Sequence, residues 1–151
     1  QRSDFWLRDV KAVSAAPAPA PPASNPGNAQ AGEGVYLRVC FACHQPTGLG
    51  LPPAFPPLAG STIVTDANPG KIIRIVLHGL QGPIEVKGTT YNSMMPPHLA
   101  QLNDREIADA LTYVRNSWGN SAAPVTVEAV TEVRAQVQRP TPWTWAELNQ
   151  P

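Results

Sequence analysis

The stretch Cys40-Phe41-Ala42-Cys43-His44 decides most of what this sequence predicts. Two cysteines three positions apart, followed directly by a histidine, form the pattern of covalent haem attachment. Each thiol can add across one vinyl group of the haem, and the histidine then lies beneath the iron as its proximal ligand. Cys40 and Cys43 are the only two cysteines of the chain, so one haem would use both. We therefore predict one covalently bound haem, held by Cys40, Cys43 and His44.

Two other kinds of site contain cysteine pairs at this spacing. A structural zinc ion needs four protein ligands, usually including a second Cys/His pair at short spacing. The remaining histidines, His78 and His98, are 20 positions apart. A redox-active CxxC motif would lie in a βαβ unit, and the sequence shows no such pattern. Haem attachment is therefore favoured over zinc binding and over thiol redox chemistry.

The bulk composition limits the class of protein. A chain of 151 residues suits one domain, and its 11 basic and 11 acidic residues balance. No stretch is strongly basic, which argues against a nucleic-acid partner. No run of about 18 apolar residues occurs, so we expect no transmembrane segment in this chain. It starts at Gln1 without a basic and apolar leader, and we expect any export signal to be removed or to lie outside this numbering. Because haem is attached to such motifs outside the cytoplasm, we expect a periplasmic protein.

Composition divides the chain into three parts. Residues 1–30 form an arm rich in alanine and proline, which favours a semi-rigid spacer or a disordered tail. Residues 31–120 form the globular domain. Residues 121–151 form a C-terminal extension, in which 126–137 predict one amphipathic helix. The tail beyond it contains Trp143 and Trp145, and we expect these side chains to cover either the domain itself or a partner.

Helix signals within residues 31–120 predict an all-α domain. A first helix, 31–39, leads into the CxxCH motif. A second starts at Asn68-Pro69 and ends at Gly79. A third starts at Asn103, with Glu106 three positions on, and its apolar stripe continues to Trp118 before Gly119 ends it. Long loops rich in glycine and proline separate them, including 45–65, and 83–91 is predicted as loop or short extended structure.

The second axial ligand of the iron is the main mechanistic question. The candidates are Met94, Met95, His78 and His98. Both methionines of the chain lie together in a proline-rich loop before the last predicted helix, which is an unusual place for core residues. A thioether from this loop could reach the iron on the side opposite His44. Such ligation favours reduced iron and closes the sixth position to small ligands.

Further residues carry a family resemblance. In chain order they are Gly34 and Tyr36, the CxxCH motif, Pro56 and Leu58, Met95-Pro96, and Tyr113 and Trp118. This order resembles that of class I (monohaem) c-type cytochromes, over residues 31–120. The resemblance implies an all-α cytochrome c fold with long loops around one haem, extended at both ends by the arms.

The same resemblance implies roles for individual residues. Met95, which directly precedes a proline, would be the sixth ligand rather than Met94. The carbonyl of Pro56 would accept from the proximal imidazole N–H of His44 and fix its tautomer. Leu58 would contact the haem ring.

A narrower resemblance lies in residues 78–84, in Tyr91-Asn92, in the Met95-Pro96-Pro97 run and in residues 111–120. These are similar to the haem domains fused to copper nitrite reductases and to cytochrome subunits of dehydrogenases. They imply that His78 and Tyr91 lie near the haem periphery. For His78, a surface histidine at a helix C-terminus is an equal alternative.

A closed, methionine-ligated haem predicts an electron carrier rather than an enzyme. The alternative of a peroxidase-type or ligand-binding haem protein would need an open sixth position. Residues 31–120 contain six basic and six acidic residues, so no net charge would steer a partner. We expect a mostly apolar contact surface near the haem edge, formed by Phe41, Ala42, Leu49, Leu51 and Pro97.

The two arms suggest attachment to a fixed partner, because additional contacts raise the effective concentration of the haem domain. We therefore predict an electron-transfer subunit or domain of a larger periplasmic redox complex. Its partner would be a dehydrogenase or reductase subunit. A free electron shuttle is the alternative.

Overall fold

The computed structural model describes residues 24–151. That part of the chain contains six helices and one two-stranded antiparallel sheet. The elements are α1 (Ala29–Val39), α2 (Phe41–His44), α3 (Gly70–His78), β1 (Ile84–Val86), β2 (Thr89–Tyr91), α4 (Asp104–Arg115), α5 (Val127–Gln136) and α6 (Trp145–Leu148). None of these helices is long and apolar enough to cross a membrane. The spacer or tail predicted for the N-terminal arm falls, up to residue 23, outside the described residues.

Helices α1 and α4 cross closely and carry much of the core. Each begins at an asparagine cap: Asn28 accepts from the N–H of Ala31, and Asn103 forms the predicted capping box with Glu106. At the crossing, a Cβ on Gly32 would lie only 1.9 Å from the carbonyl oxygen of Asp109. Only glycine allows this approach. Because α1 ends at Val39, the crossing fixes where the CxxCH motif begins.

The end of α4 differs from the prediction. The apolar stripe was expected to continue to Trp118, but the helix ends at Arg115 and Trp118 has a φ of 56°. Side chains explain the early end, because Asn116 donates to the carbonyl of Thr112. Trp118 leaves the helix and packs on Tyr36, with ring centroids 5.2 Å apart. Its indole N–H donates to a loop carbonyl directly after the CxxCH segment.

The all-α prediction is wrong for residues 84–91, which form a β-hairpin. Ile84 pairs with Tyr91 in an antiparallel register. The two turn residues, Lys87 and Gly88, have φ of 51° and 80°. Left-handed backbone at both turn positions is the geometry that joins two twisted strands tightly. Ile84 and Val86 face the core from β1, whereas Glu85 is exposed.

The other two long helices have nearly the predicted bounds. Helix α3 begins at Gly70, with Pro69 as its cap residue rather than as its first residue, and Asn68 accepts from the N–H of Gly70. Gly79 ends α3 with a φ of 82°, as predicted. Helix α5 was predicted over 126–137 and spans Val127–Gln136. It packs on α3 and α4 through buried valines.

The described parts of both arms pack against the domain rather than extending from it. The N–H of Gly27 donates to the carbonyl of Val125 at 2.8 Å, beside an isolated bridge between Pro26 and Thr126. We call residues 139–148 the C-terminal strap. Its two tryptophans, expected to cover either the domain or a partner, both pack on a buried cluster of the domain.

Candidate haem site

The two cysteines lie on adjoining turns at the end of α1. Cys40 is the C-cap residue of α1, and its N–H donates to the carbonyl of Tyr36 at 2.8 Å. Helix α2 is a single turn in which the N–H of His44 donates to the carbonyl of Cys40 at 3.0 Å. Both thiols are free and partly buried. Burial, assisted by the neighbouring Cys43, raises the pKa of Cys40 to about 11, so its thiol is protonated at neutral pH.

His44 is buried and oriented by one backbone carbonyl. Its Nδ1 lies 2.9 Å from the carbonyl oxygen of Pro56, as the resemblance implied. A carbonyl can only accept, so Nδ1 carries the proton and Nε2 keeps a free lone pair. Burial lowers the pKa of His44 from its usual range, partly opposed by the Pro56 hydrogen bond, and His98 lowers it further. The neutral imidazole is the form that can bind a metal.

The loop that carries Pro56 is folded tightly onto the segment after His44. The N–H of Gly50 donates to the His44 carbonyl at 3.0 Å, and the N–H of Leu58 donates to the Gly48 carbonyl at 2.7 Å. At the far end, the amide of Asn120 donates to the Leu58 carbonyl at 3.1 Å. These bonds hold the Pro56 carbonyl in place, so the orientation of His44 does not depend on a single contact.

The methionine loop presents its two thioethers differently. The backbone of Met95 exchanges two hydrogen bonds with Leu80, at 2.8 and 3.1 Å. Its side chain is partly buried and packs on the cluster that includes Ile75 and Ile84. Met94, in contrast, is 61% exposed. The chain therefore turns one thioether toward the interior and the other toward solvent.

The interior between these segments contains a cavity with an almost wholly apolar lining. Cys40, His44 and Met95 all line it. A second, smaller cavity is lined by Cys43 and shares His44 and Met95 with the first. The apolar walls of the larger cavity come mainly from α3, α4 and the hairpin: Ile72, Ile75, Val76, Ile84, Val86, Ala110, Leu111 and Val114. An apolar space bordered by two thiols, an imidazole and a thioether fits a covalently attached haem.

The other residues singled out from the sequence lie at different distances from this space. Leu58 and His98 line the larger cavity, and Tyr91 lines the smaller one. His78 lines neither. It is 4% exposed, so the alternative of a surface histidine is wrong, and its Nδ1 has no hydrogen-bond partner. Burial lowers the pKa of His78, and Arg139 and Arg134 lower it further.

Sequence reasoning missed the polar residues that shape the cavity wall. Arg115 is 1% exposed and donates to the carbonyls of Val64 and Asp66 at 2.8 and 2.7 Å. Ser61 is also buried and faces the larger cavity. Asn120 holds the same loop through Gly60, whose N–H donates to its side-chain oxygen. No local pattern signals these roles, because each depends on a loop distant in sequence.

The sequence of this chain is similar to those of several known proteins. The family described as Cytochrome c matches residues 29–118. Cytochrome c-552 of Thermus thermophilus is 42% identical over 117 residues, which cover 72% of this chain and 88% of that protein. The cytochrome c subunit of alcohol dehydrogenase (quinone) from Gluconacetobacter polyoxogenes is 34% identical over 105 residues, covering 68% of this chain but 22% of that subunit. The fructose dehydrogenase cytochrome subunit of Gluconobacter japonicus is 34% identical over 106 residues, 69% of this chain and 22% of that subunit. The chain belongs to the cytochrome c family and is an electron carrier with haem c as its cofactor, not itself a catalyst.

Proposed function

We propose that Cys40 and Cys43 attach the haem and that His44 and Met95 are its axial ligands. One observation carries the proposal: a histidine with a free Nε2 and the inward-facing methionine line the same apolar cavity. The exposure of Met94 supports the choice between the two methionines. His98 also lines the larger cavity, and its Nδ1 lies 2.9 Å from the side-chain oxygen of Gln101, which leaves its Nε2 free in the same way. Met95 is preferred because it lines both cavities together with His44, whereas His98 lines only the larger one.

The residues around the cavity suit one-electron transfer. When bound, haem c supplies an iron that changes between the ferric and ferrous states. The Pro56 carbonyl holds the His44 imidazole in one tautomer and one orientation, which keeps the ligand geometry constant between the two states. The apolar walls keep water away and disfavour extra charge, which favours the reduced form. A thioether in the sixth position leaves no place for a substrate.

A pair of variants tests the ligand assignment. Ferric haem c with a thioether ligand has a weak far-red charge-transfer absorption band. We expect Met95→Ala to lose this band and Met94→Ala to keep it, because Met95 is partly buried and lines both cavities, whereas Met94 is 61% exposed and lines only the smaller one. Met94→Ala is the matched control, since it removes the same side chain from the neighbouring position. Loss of the band in Met94→Ala alone would reverse the assignment.

We further propose that the carrier exchanges electrons through an apolar contact surface. Phe41, Leu49, Leu51 and Met94 are between 42% and 61% exposed. The segments that carry these side chains border the smaller cavity, which is lined by Cys43, Phe55 and Met94. Exposed apolar groups without a dominant charge favour recognition by shape and burial over long-range steering. The proposed partner is a dehydrogenase or reductase subunit of a periplasmic redox complex, in which this chain is the electron-transfer subunit or domain.

A free electron shuttle is the second candidate, and two observations favour it. Cytochrome c-552 matches this chain over 88% of its own length, whereas the dehydrogenase subunits match over only 22% of theirs. The strap tryptophans, which were one reason to expect a tether, pack on the domain itself. Because the tryptophans are used within the chain, the apolar contact surface is the main candidate for binding a partner.

Purification of the full chain from its native source tests the two candidates. A subunit would co-purify with a partner that carries its own cofactor, and a shuttle would elute alone. Replacing Leu49 and Leu51 by serine should break the association with the partner. The matched control replaces Leu37 and Leu99, which are 45% and 39% exposed and line neither cavity. Equal loss of association in the control would contradict the proposed surface.

A further inference from the structure

Three backbone segments that are distant in sequence, around Leu80, Met95 and Trp143, lie side by side. The backbone of Leu80 exchanges two hydrogen bonds with Met95 on one side. On the other side, the N–H of Gln81 donates to the carbonyl of Trp143 at 2.8 Å, and the N–H of Trp143 donates to the carbonyl of Gly79 at 3.0 Å. The result is two isolated bridges, Leu80 with Met95 and Leu80 with Trp143. The segment between α3 and the hairpin is thus held from both sides.

The approach of this segment to Met95 is close. A Cβ on Gly79 would lie 2.5 Å from the carbonyl oxygen of Met95, and Gly79 has a φ of 82°. Glycine is therefore required there both by the backbone conformation and by the neighbouring chain. Any outward movement of the 79–81 segment would carry the backbone of Met95 with it.

The strap is itself fixed at several points. The guanidinium of Arg139 lies 3.8 Å from the centre of the Trp143 ring and forms a 2.7 Å ion pair with Glu147. Arg139 also donates to the carbonyls of Thr141 and Pro142. Farther along, Lys71 of α3 donates to the side chain of Asn149 at 2.7 Å. The Arg139 contacts therefore stiffen the strap around Trp143, and the Lys71 contact ties the end of the chain to α3.

We infer that the C-terminal strap positions the methionine ligand of the haem, and that Trp143 is its positioning residue. The inference rests on the proposed ligation by Met95. Trp143 acts through the 79–81 segment and not by contact with the iron. Loosening the strap frees the Met95 backbone, so the thioether leaves the sixth position more often.

Competition with an added ligand measures this directly. Imidazole binds ferric haem only when the thioether has left, so its apparent affinity rises with the fraction of open molecules. We expect Trp143→Ala to raise the imidazole affinity about tenfold, equivalent to about 1.4 kcal/mol in the closing equilibrium. The reduction potential should fall as well, because the thioether favours the ferrous form. Trp143→Phe should restore both values, since the buried indole N–H of Trp143 has no partner to lose.

Val130→Ala is the matched control for general loss of stability. Val130 is buried in the core cluster of α3, α4 and α5 and takes no part in the bridges. It should unfold at lower urea concentration with an unchanged imidazole affinity. If Trp143→Ala fails to retain haem, Arg139→Ala removes the ion pair and the cation over the ring, and it should show the same direction of change.

Two results would overturn the inference: a wild-type imidazole affinity in Trp143→Ala, or an equal rise in Val130→Ala. The proposed function is judged separately. If Met95→Ala keeps the charge-transfer band, the ligand assignment fails. If it loses the band while Trp143→Ala binds imidazole like the wild type, only the role of the strap fails.

Discussion

Replacing Arg115 by methionine should strongly destabilise the protein. Arg115 is almost completely buried at the end of α4. Its guanidinium donates to the carbonyls of Val64 and Asp66, in the loop that forms one wall of the cavity, and to the carbonyl of Ala123 at 2.8 Å. One side chain thus ties the cavity wall to α4 and to the connection with α5.

The magnitude follows from these three contacts. A hydrogen bond from a charged donor contributes about 1.5–3 kcal/mol to stability. Part of that sum is offset because methionine no longer requires a charge to be buried. The Val64 carbonyl, however, loses its donor in a buried position, and the carbonyls of Asp66 and Ala123 lose theirs in partly buried ones. We expect a net loss of about 3–5 kcal/mol, which is less than the roughly 4.5–9 kcal/mol of three such hydrogen bonds because of this offset. That is a large share of the about 5–15 kcal/mol that stabilises a typical domain.

Urea unfolding followed by tryptophan fluorescence or haem absorption measures the loss. With a slope of about 2 kcal/mol per molar urea, the midpoint should fall by about 2 M while the slope stays unchanged. Arg38→Met is the matched control, since the ion pair of Arg38 with Glu106 lies at the surface and should contribute less than about 1 kcal/mol. A midpoint for Arg115→Met within experimental error of the control would refute the argument.

Three further predictions concern other parts of the chain. Burial lowers the pKa of His78 in the folded protein. Below its ordinary pKa of 6.5, the unfolded chain therefore binds a proton at His78 that the folded chain does not. Stability to urea should fall as the pH drops below about 6.5, and His78→Phe should reduce this fall. The hydrogen bond from the Thr144 N–H, together with Arg139, lowers the pKa of Glu147. Glu147 therefore stabilises the fold at pH values above its ordinary pKa of 4.5, and this effect is lost as the pH falls through the lowered pKa. Glu147→Gln should be less stable than the wild type at neutral pH and equally stable in strong acid. Gly32→Ala should disrupt the α1–α4 crossing and lower the midpoint of thermal unfolding sharply. Gly34→Ala is the control, because a Cβ at Gly34 would meet open space, and it should be neutral or stabilising by up to about 1 kcal/mol. Similar midpoints for the two variants would contradict the close-packing argument.

Local sequence signals predicted the helices well where the signal lies within the helix. Asn103 and Glu106 satisfy each other across one turn, so the start of α4 can be found without knowing the fold. The exit of α4 could not be found in this way. Trp118 continues the apolar spacing, but its packing on Tyr36 pulls it off the helix, and Tyr36 lies on α1, which is distant in sequence.

The hairpin segment was predicted only as loop or short extended structure, and its strand pairing was not predicted. Ile84 and Val86 alternate with Glu85, but the Lys87-Gly88 turn is a weaker hairpin signal than Asn-Gly or Asp-Gly. The tryptophans of the strap were expected to cover the domain or a partner, but the place where the strap docks could not be predicted. Its hydrogen bonds with residues 79–81 join backbone groups and leave no pattern in the side chains. The His44–Pro56 contact was foreseen only through the family resemblance, since nothing in the spacing alone places that carbonyl.

Exposure of the reduced protein to carbon monoxide tests the central claim most directly. If His44 and Met95 close both axial positions, the absorption spectrum of the reduced wild type should not change, whereas reduced Met95→Ala should bind the gas. The comparison needs no partner and reports the state of the sixth position itself. Rapid and complete binding of carbon monoxide by the wild-type protein would contradict a closed electron carrier and would indicate a ligand-binding haem protein instead.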